Sequence, residues 1–308
     1  MAEPVALALK GGATPTDNRC IMLSSVAAPT DTGFIDRAPD HVNAWAACFD
    51  AARLPILRSS AVAIEEMRGN EDAVDAHLLA ETLAHDPLFT LKVLAHVAHL
   101  RRGRDGTDAE TLTAALVMLG ITPFFRDFGP QPTVEEELAA YPAALDGFRT
   151  VLDRSHRAAR FALAFAVQRM DHDAAVIREA ALLHDFADLL VWLRAPALAG
   201  EIMRRQREDG ALRSLVVQAE VLNIGLPDLQ QALMQKWRLP RILIDIADDN
   251  RESVSAQART VLLAIRLARH TARDWDNPAL ADDVRDIAEL LHMGTEPTLA
   301  LLHDIDGD

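Results

Sequence analysis

Cysteine is nearly absent. Of 308 residues only Cys20 and Cys48 carry a thiol, so no disulfide framework can hold the fold and no zinc site of paired cysteines can be built. That usage suits a reducing compartment, and the sequence reads as cytoplasmic. Basic residues are short as well, 31 against 46 acidic, which leaves a net charge of −15. A sequence-independent grip on nucleic acid or on an anionic membrane needs the opposite excess, so neither is expected as a partner. No apolar run is long enough to cross a bilayer, because even the stretch Ala180–Leu193 is interrupted by His184, Asp185 and Asp188. The N-terminus shows no basic-then-apolar leader pattern. Glycine-rich phosphate loops, a Gly-x-Ser-x-Gly elbow, strand-like alternation and internal repeats are missing too. What is present is a chain that is 50% hydrophobic, enough to bury a sizeable core in one large domain or two modest ones.

Residues 1–39 mix Gly, Pro, Thr, Asp and Ala without a period. They are expected to form an extended or partly disordered arm, with at most a short strand near Arg19–Leu23. From Asp40 the pattern is helical and remains so. Asp40 is expected to cap a helix through about Ala52, and Leu54-Pro55 to break it and start the next, running to Met67. A further helix covers Ala76–Ala84. Asp86 and Pro87 then supply a cap and a first helical residue for a helix to about Leu100. Thr107-Asp-Ala-Glu110 reads as a capping box with Gly120 as the stop, and Thr133-Val-Glu-Glu136 repeats the pattern. A long helix over Ala143–Met170 carries Leu152, His156, Ala159 and Leu163 on one stripe, which turns His156 inward. Helices are expected again at 180–193, 197–208, 212–222, 227–237, 240–248, 254–271, 278–291 and 297–303. Every segment with a clear period has the helical one, so the fold class is all-α.

The chemistry-bearing residues sit in the second half. In the expected Ala180–Leu193 helix, Ala180, Leu183, His184, Ala187 and Val191 share one face, so the adjacent pair His184-Asp185 points at the core. Buried imidazole and carboxylate need a hydrogen-bond partner or a metal. His156, brought near by an antiparallel helix pair, would make an imidazole and carboxylate set suited to a first-row divalent metal, which could activate water for phosphoester hydrolysis. A core histidine bonded to a neighbouring carboxylate satisfies the same spacing.

Motif order adds to spacing. Leu54-Pro-Ile-Leu57, His85-Asp-Pro-Leu88, Met118-Leu-Gly-Ile121, His156, Leu182-Leu-His-Asp185 and Trp237-Arg-Leu-Pro240 together resemble the HDOD domain. That is the metal-dependent-hydrolase-related output domain, an offshoot of the HD phosphohydrolase superfamily. The resemblance spans about Ala44 to Leu291. It implies an all-helical bacterial signalling or regulatory domain, with an N-terminal helical subdomain at 40–140 packed on an HD-like helical bundle at 141–308.

Departures from the catalytic pattern shape the expected function. Phe186-Ala187-Asp188 replaces the Ile-Gly-Lys-like continuation of active HD enzymes, Asp248-Asp249 stands where a His-His pair is common, and Leu226 where another histidine often falls. Arg269 takes the place of the last aspartate. A guanidinium there would pair with Asp185 in place of a metal, and Arg269→Ala is then expected to destabilise the fold by several kcal/mol, roughly the effect of breaking a buried pair. A guanidinium snorkelling to the surface is the bland alternative. The resemblance thus implies a vestigial site of His156, His184, Asp185 and Arg269. The expected protein is a non-catalytic module that works through contact with a signalling protein or by sensing a small ligand. Homodimerisation is left open and no cofactor is expected. The competing reading is a metal-dependent phosphohydrolase or cyclic-dinucleotide phosphodiesterase, its divalent metal held by His156, His184, Asp185 and Asp249. The cationic loop Arg101-Arg-Gly-Arg104 reads as solvated, and Trp192, Trp237 and Trp275 as packing residues.

Overall fold

Polar side chains cap the first turn of several helices in this chain, and the computed structural model shows which ones do so. It describes residues 33–102, 108–209, 212–248 and 255–307, and among them the regular elements are helices, with one isolated parallel bridge between Ile56 and Thr133 and no strand. The all-α expectation holds. The Arg19–Leu23 strand, the Thr107 cap, Arg104 and Asp249 lie outside the described residues. No described helix is long and apolar enough to cross a membrane.

Helix α1 (Val42–Ala47) is capped by His41, whose Nδ1 accepts from Ala44 N at 3.2 Å, and not by Asp40. It ends well before Ala52, and a single 3-10 turn at Ala51–Arg53 follows. Residues 54–57 are extended. Ile56 N donates to Pro132 O at 3.0 Å, Val134 N to Ile56 O at 2.9 Å, and Leu57 N to Asp86 Oδ2 at 2.7 Å. Those partners hold the backbone out of the helical region, so α2 (Arg58–Arg68) starts after Leu57 and not at Pro55. Asp86 serves twice. Its other carboxylate oxygen accepts from Phe89 N at 2.9 Å and caps α4 (Pro87–Leu100), which follows α3 (Ala76–Leu83).

Thr111 caps α5 (Leu112–Leu119), where it accepts from Ala114 N at 3.2 Å, and the Leu112 amide donates to Glu179 Oε2 at 3.0 Å. Gly120 stops it at φ 82°, a conformation a side chain would resist, and α6 (Ile121–Asp127) leaves at a new angle. The Thr133 capping box forms as expected, with both reciprocal bonds, at α7 (Val134–Glu137).

Helix α8 (Pro142–Gln168) is 27 residues long and organises the packing of the helices that follow it. It touches α9 (Ala174–Leu183), α10 (Phe186–Arg194), α11 (Pro196–Glu208), α15 (Ala256–His270) and α17 (Thr295–Asp306). Phe148, Val151, Ala158, Phe161, Ala162 and Phe165 form its buried face, whereas Leu163, placed on that stripe by spacing, is exposed. Between α11 and α15 come α12 (Ser214–Leu222), α13 (Leu226–Lys236) and α14 (Arg241–Ile246), and α16 (Leu280–Leu291) precedes α17. Arg157 of α8 ties the C-terminal helices down: its guanidinium reaches Asp306 at 2.5 and 3.0 Å and the Thr271 carbonyl and hydroxyl at 2.8 Å each. Phe34 stacks edge-on to Tyr141 and Ile35 N donates to Arg194 O at 2.7 Å, so the end of the N-terminal arm is docked, without regular structure.

Candidate functional site

The stretch 180–193 is not one helix. The ladder of α9 stops at Leu183, and α10 begins at Phe186 with Asp185 as its first cap, φ −99° and ψ 18°. His184 and Asp185 therefore sit in a turn between two helices, which aims both side chains sideways into the packing against α8. His184 Nδ1 lies 3.1 Å from Asp185 Oδ1. Both residues are buried, Asp185 at 8% exposure.

Two guanidiniums meet that carboxylate. Arg269 of α15 donates to Oδ1 at 2.7 Å, the contact expected from the sequence, and Arg154 of α8 donates to Oδ2 at 2.8 Å. Arg154 also reaches Asp188 Oδ2 at 3.0 Å and so bridges two carboxylates. Burial alone would raise the Asp185 pKa, but Arg269 and Arg154 hold it well below the usual carboxylate range. For Asp188 burial prevails: its pKa is raised, with Arg154 opposing and Asp185 reinforcing. Arg154 is the more buried of the two cations, at 21% side-chain exposure against 49% for Arg269.

His156 does not join this cluster. Its Nε2 lies 2.6 Å from the His85 carbonyl oxygen, beside Ser59 and Leu152, and it lines a different, smaller hollow. The reason is helical phase. Gly147, Thr150, Val151 and Arg154 follow the i, i+3, i+4, i+7 spacing and face Asp185, while position 156 is turned about 200° from 154. That spacing is contained in the sequence, and it puts Arg154, two positions before His156, on the face toward Asp185. Asp249, the remaining oxygen ligand expected under a hydrolase reading, lies outside the described residues.

A divalent metal fits these residues poorly. It would need Asp185 oxygens free and neutral imidazoles beside them, whereas each Asp185 oxygen already accepts from a cation and His156 is engaged elsewhere. Among the described residues no three His, Cys, Asp or Glu side chains gather as a metal shell requires.

The cluster forms one wall of a cavity of about 420 Å3 enclosed by α8, α10, α11, α12 and α13. Trp192 closes its side by lying flat on α8: a Cβ added at Gly147 would sit 2.5 Å from the indole, so only glycine admits the ring there. Leu226, Met203 and Leu215 make the opposite side apolar. One polar group on that side is left over. Gln230, 4% exposed, lines the cavity, and its Nε2 is buried with no hydrogen-bond partner. Its neighbours are satisfied, since Gln218 Oε1 accepts from Leu226 N at 3.1 Å and Gln206 Nε2 donates to Ser214 Oγ at 2.8 Å. No motif announces Gln230, which is why spacing arguments miss it.

Comparison with known proteins agrees with this architecture. The sequence matches the HDOD domain family over residues 54–252. A response regulator, MmoQ, from Methylococcus capsulatus superposes with a TM-score of 0.61 at 18% identity, covering 80% of this chain and 96% of that one. A virulence factor from Campylobacter jejuni superposes with a TM-score of 0.56 at 16% identity, covering 78% and 85%. Identities this low carry the fold and no activity. No curated protein matches the sequence. With its Leu54–Leu57, His85–Leu88, His184-Asp185 and Trp237–Pro240 motifs all inside the matched region, the chain belongs to the HDOD domain family.

Proposed function

We propose that this HDOD domain is a non-catalytic regulatory module that senses a small ligand in the cavity beside Asp185. The observation that carries the reading is the double grip on Asp185. Arg154 and Arg269 supply the positive charge a metal would otherwise bring, and they do so as hydrogen-bond donors that cannot polarise or deprotonate a water. A chamber without a hydrolytic centre still binds. The half-exposed Arg269 and the Gln230 side chain, whose Nε2 has no partner, lie on two sides of a space whose walls mix apolar side chains with a few polar ones, in keeping with a ligand pocket. The acidic net charge of −15 disfavours nucleic acid as the partner. A regulatory role in bacterial signalling is in keeping with the response-regulator description of the M. capsulatus protein.

The test is metal content and hydrolysis. Protein purified without chelator is expected to carry well under about one equivalent of transition metal, and to leave bis-p-nitrophenyl phosphate uncleaved when Mn2+ or Zn2+ is added. Stoichiometric metal accompanied by turnover would overturn the non-catalytic reading.

A further inference from the structure

A second cavity, of about 520 Å3, shares no wall residue with the first. It lies among the 3-10 turn at residues 51–53, the C-terminal half of α4, the end of α6 and the turn after α13. Its charge runs against that of the chain. Lys92, Arg102, Lys236 and Arg238 line it together with His96 and His99, and the carboxylates among its walls are Asp50 and Asp127.

Both carboxylates are already engaged. Asp50 accepts from Ala52 N at 3.0 Å, and Asp127 accepts from Arg126 Nε at 2.7 Å with His96 Nε2 at 3.1 Å. The donors are not used up. Lys92 gives to Leu54 O at 2.8 Å and to the Gln131 side-chain oxygen, and Lys236 gives to Ala46 O and Phe49 O at 2.7 Å each. An ammonium has three hydrogens, so each lysine keeps one. Arg102 and Arg238 are exposed, and neither makes an ion pair with a described residue. Trp237, 7% exposed, also lines the cavity, and its Nε1 is buried without an acceptor, whereas Trp45 Nε1 donates to Leu222 O at 2.8 Å. An indole nitrogen can only donate, so this is a desolvated group awaiting an oxygen.

Backbone geometry points the same way. Arg238 holds φ 56° in the turn that ends α13, where Leu239 N returns to Met234 O at 2.9 Å. That turn places Arg238 among the cavity walls beside Lys236 and Trp237. Burial also lowers the Lys92 pKa to about 8, and an anion beside it would relieve that cost.

Spare cations, spare donors and occupied carboxylates together select an anion rich in oxygen, and the volume exceeds what a bare phosphate fills. We propose that this cavity binds a small phosphomonoester of nucleotide size, its phosphate on Arg102, Arg238 and the lysine ammoniums, its body against Phe128, Ala95 and Trp237. The site is independent of the Asp185 cavity and of any role that cavity has.

Calorimetric titration of the full chain with AMP, GMP, glucose 6-phosphate, adenosine and inorganic phosphate tests it. At least one phosphomonoester is expected to bind with Kd below about 1 mM, and the unphosphorylated adenosine at least about tenfold more weakly. The Arg102→Gln/Arg238→Gln double variant should keep the wild-type melting temperature and bind about tenfold more weakly or worse, while Arg269→Gln binds as wild type does. The indole N–H resonance that disappears in Trp237→Phe should shift on saturation. The proposal falls if no phosphomonoester binds, if inorganic phosphate binds as tightly as the esters, or if Arg269→Gln and not the double variant abolishes binding.

Discussion

Two cations of unequal burial converge on Asp185. Arg154 holds Asp185 and Asp188 together from a position at 21% exposure, while Arg269, at 49%, reaches Asp185 from solvent. Removing the buried partner strips Asp188 of its cation and leaves Asp185 with Arg269 alone, so Arg154→Ala is expected to cost about 3–5 kcal/mol, in the range for breaking one side of a buried pair. Removing Arg269 leaves Asp185 still paired with Arg154, and water screens the exposed half of the contact. Arg269→Ala should therefore cost only about 1 kcal/mol, less than the several kcal/mol expected when Arg269 was read as the sole partner. Urea denaturation of the two variants at neutral pH checks the order: equal losses would sink it, and a larger loss for Arg269→Ala would make Arg269 the anchor. At this scale the sequence was legible in type and misleading in phase. Arg269 and Asp185 were paired correctly, His156 was assigned to a face it does not occupy, and Gln230 had nothing to mark it.

Between elements, Glu179 stitches α9 to the start of α5 through the Leu112 amide. Burial pushes its carboxyl up to about 7, only partly offset by that hydrogen bond and by Arg178. An unfolded glutamate releases its proton near 4.3. Between those pH values the native protein holds a proton the unfolded chain has lost, so stability falls as pH rises from about 4.5 to about 7, and the penalty, about 3 kcal/mol in full, is complete above that. Glu179→Gln removes the titration and keeps an oxygen for Leu112. It should be more stable than wild type at pH 8 and converge with it near pH 4.5 in denaturant titrations, and a gap that does not change with pH would refute the account. Elements themselves were largely legible. Asp86-Pro87, the Thr133 box and Gly120 each fixed a boundary through chemistry contained within a few residues. Boundaries went astray where the deciding partner was distant, as at residues 54–57, held extended by Asp86 and the 132–134 backbone, and at His184-Asp185, where Arg154 and Arg269 draw the side chain out of a continuous helix.

Across the whole molecule, 46 acidic residues face 31 basic ones. Exposed pairs such as Arg204 with Glu201 and Glu208 contribute little and weaken with salt, while the net repulsion is long-ranged and is screened over about 10 Å at 0.1 M. Repulsion should dominate, so the melting temperature is expected to rise between about 0.01 and 0.3 M NaCl. A fall would show that the surface pairs contribute more than their exposure allows. The family itself was legible because its motifs are spread in order along the chain and the matched region, 54–252, contains all of them. Cavities were not, since each is assembled from helices far apart in sequence.

The two arginines on Asp185 also bear on how such a domain comes into being. Counter-charges that are part of the polypeptide arrive with every copy at synthesis, in fixed stoichiometry and with no competition from other proteins. A fold that closes around them has the counter-charge of Asp185 in place as soon as the chain is made.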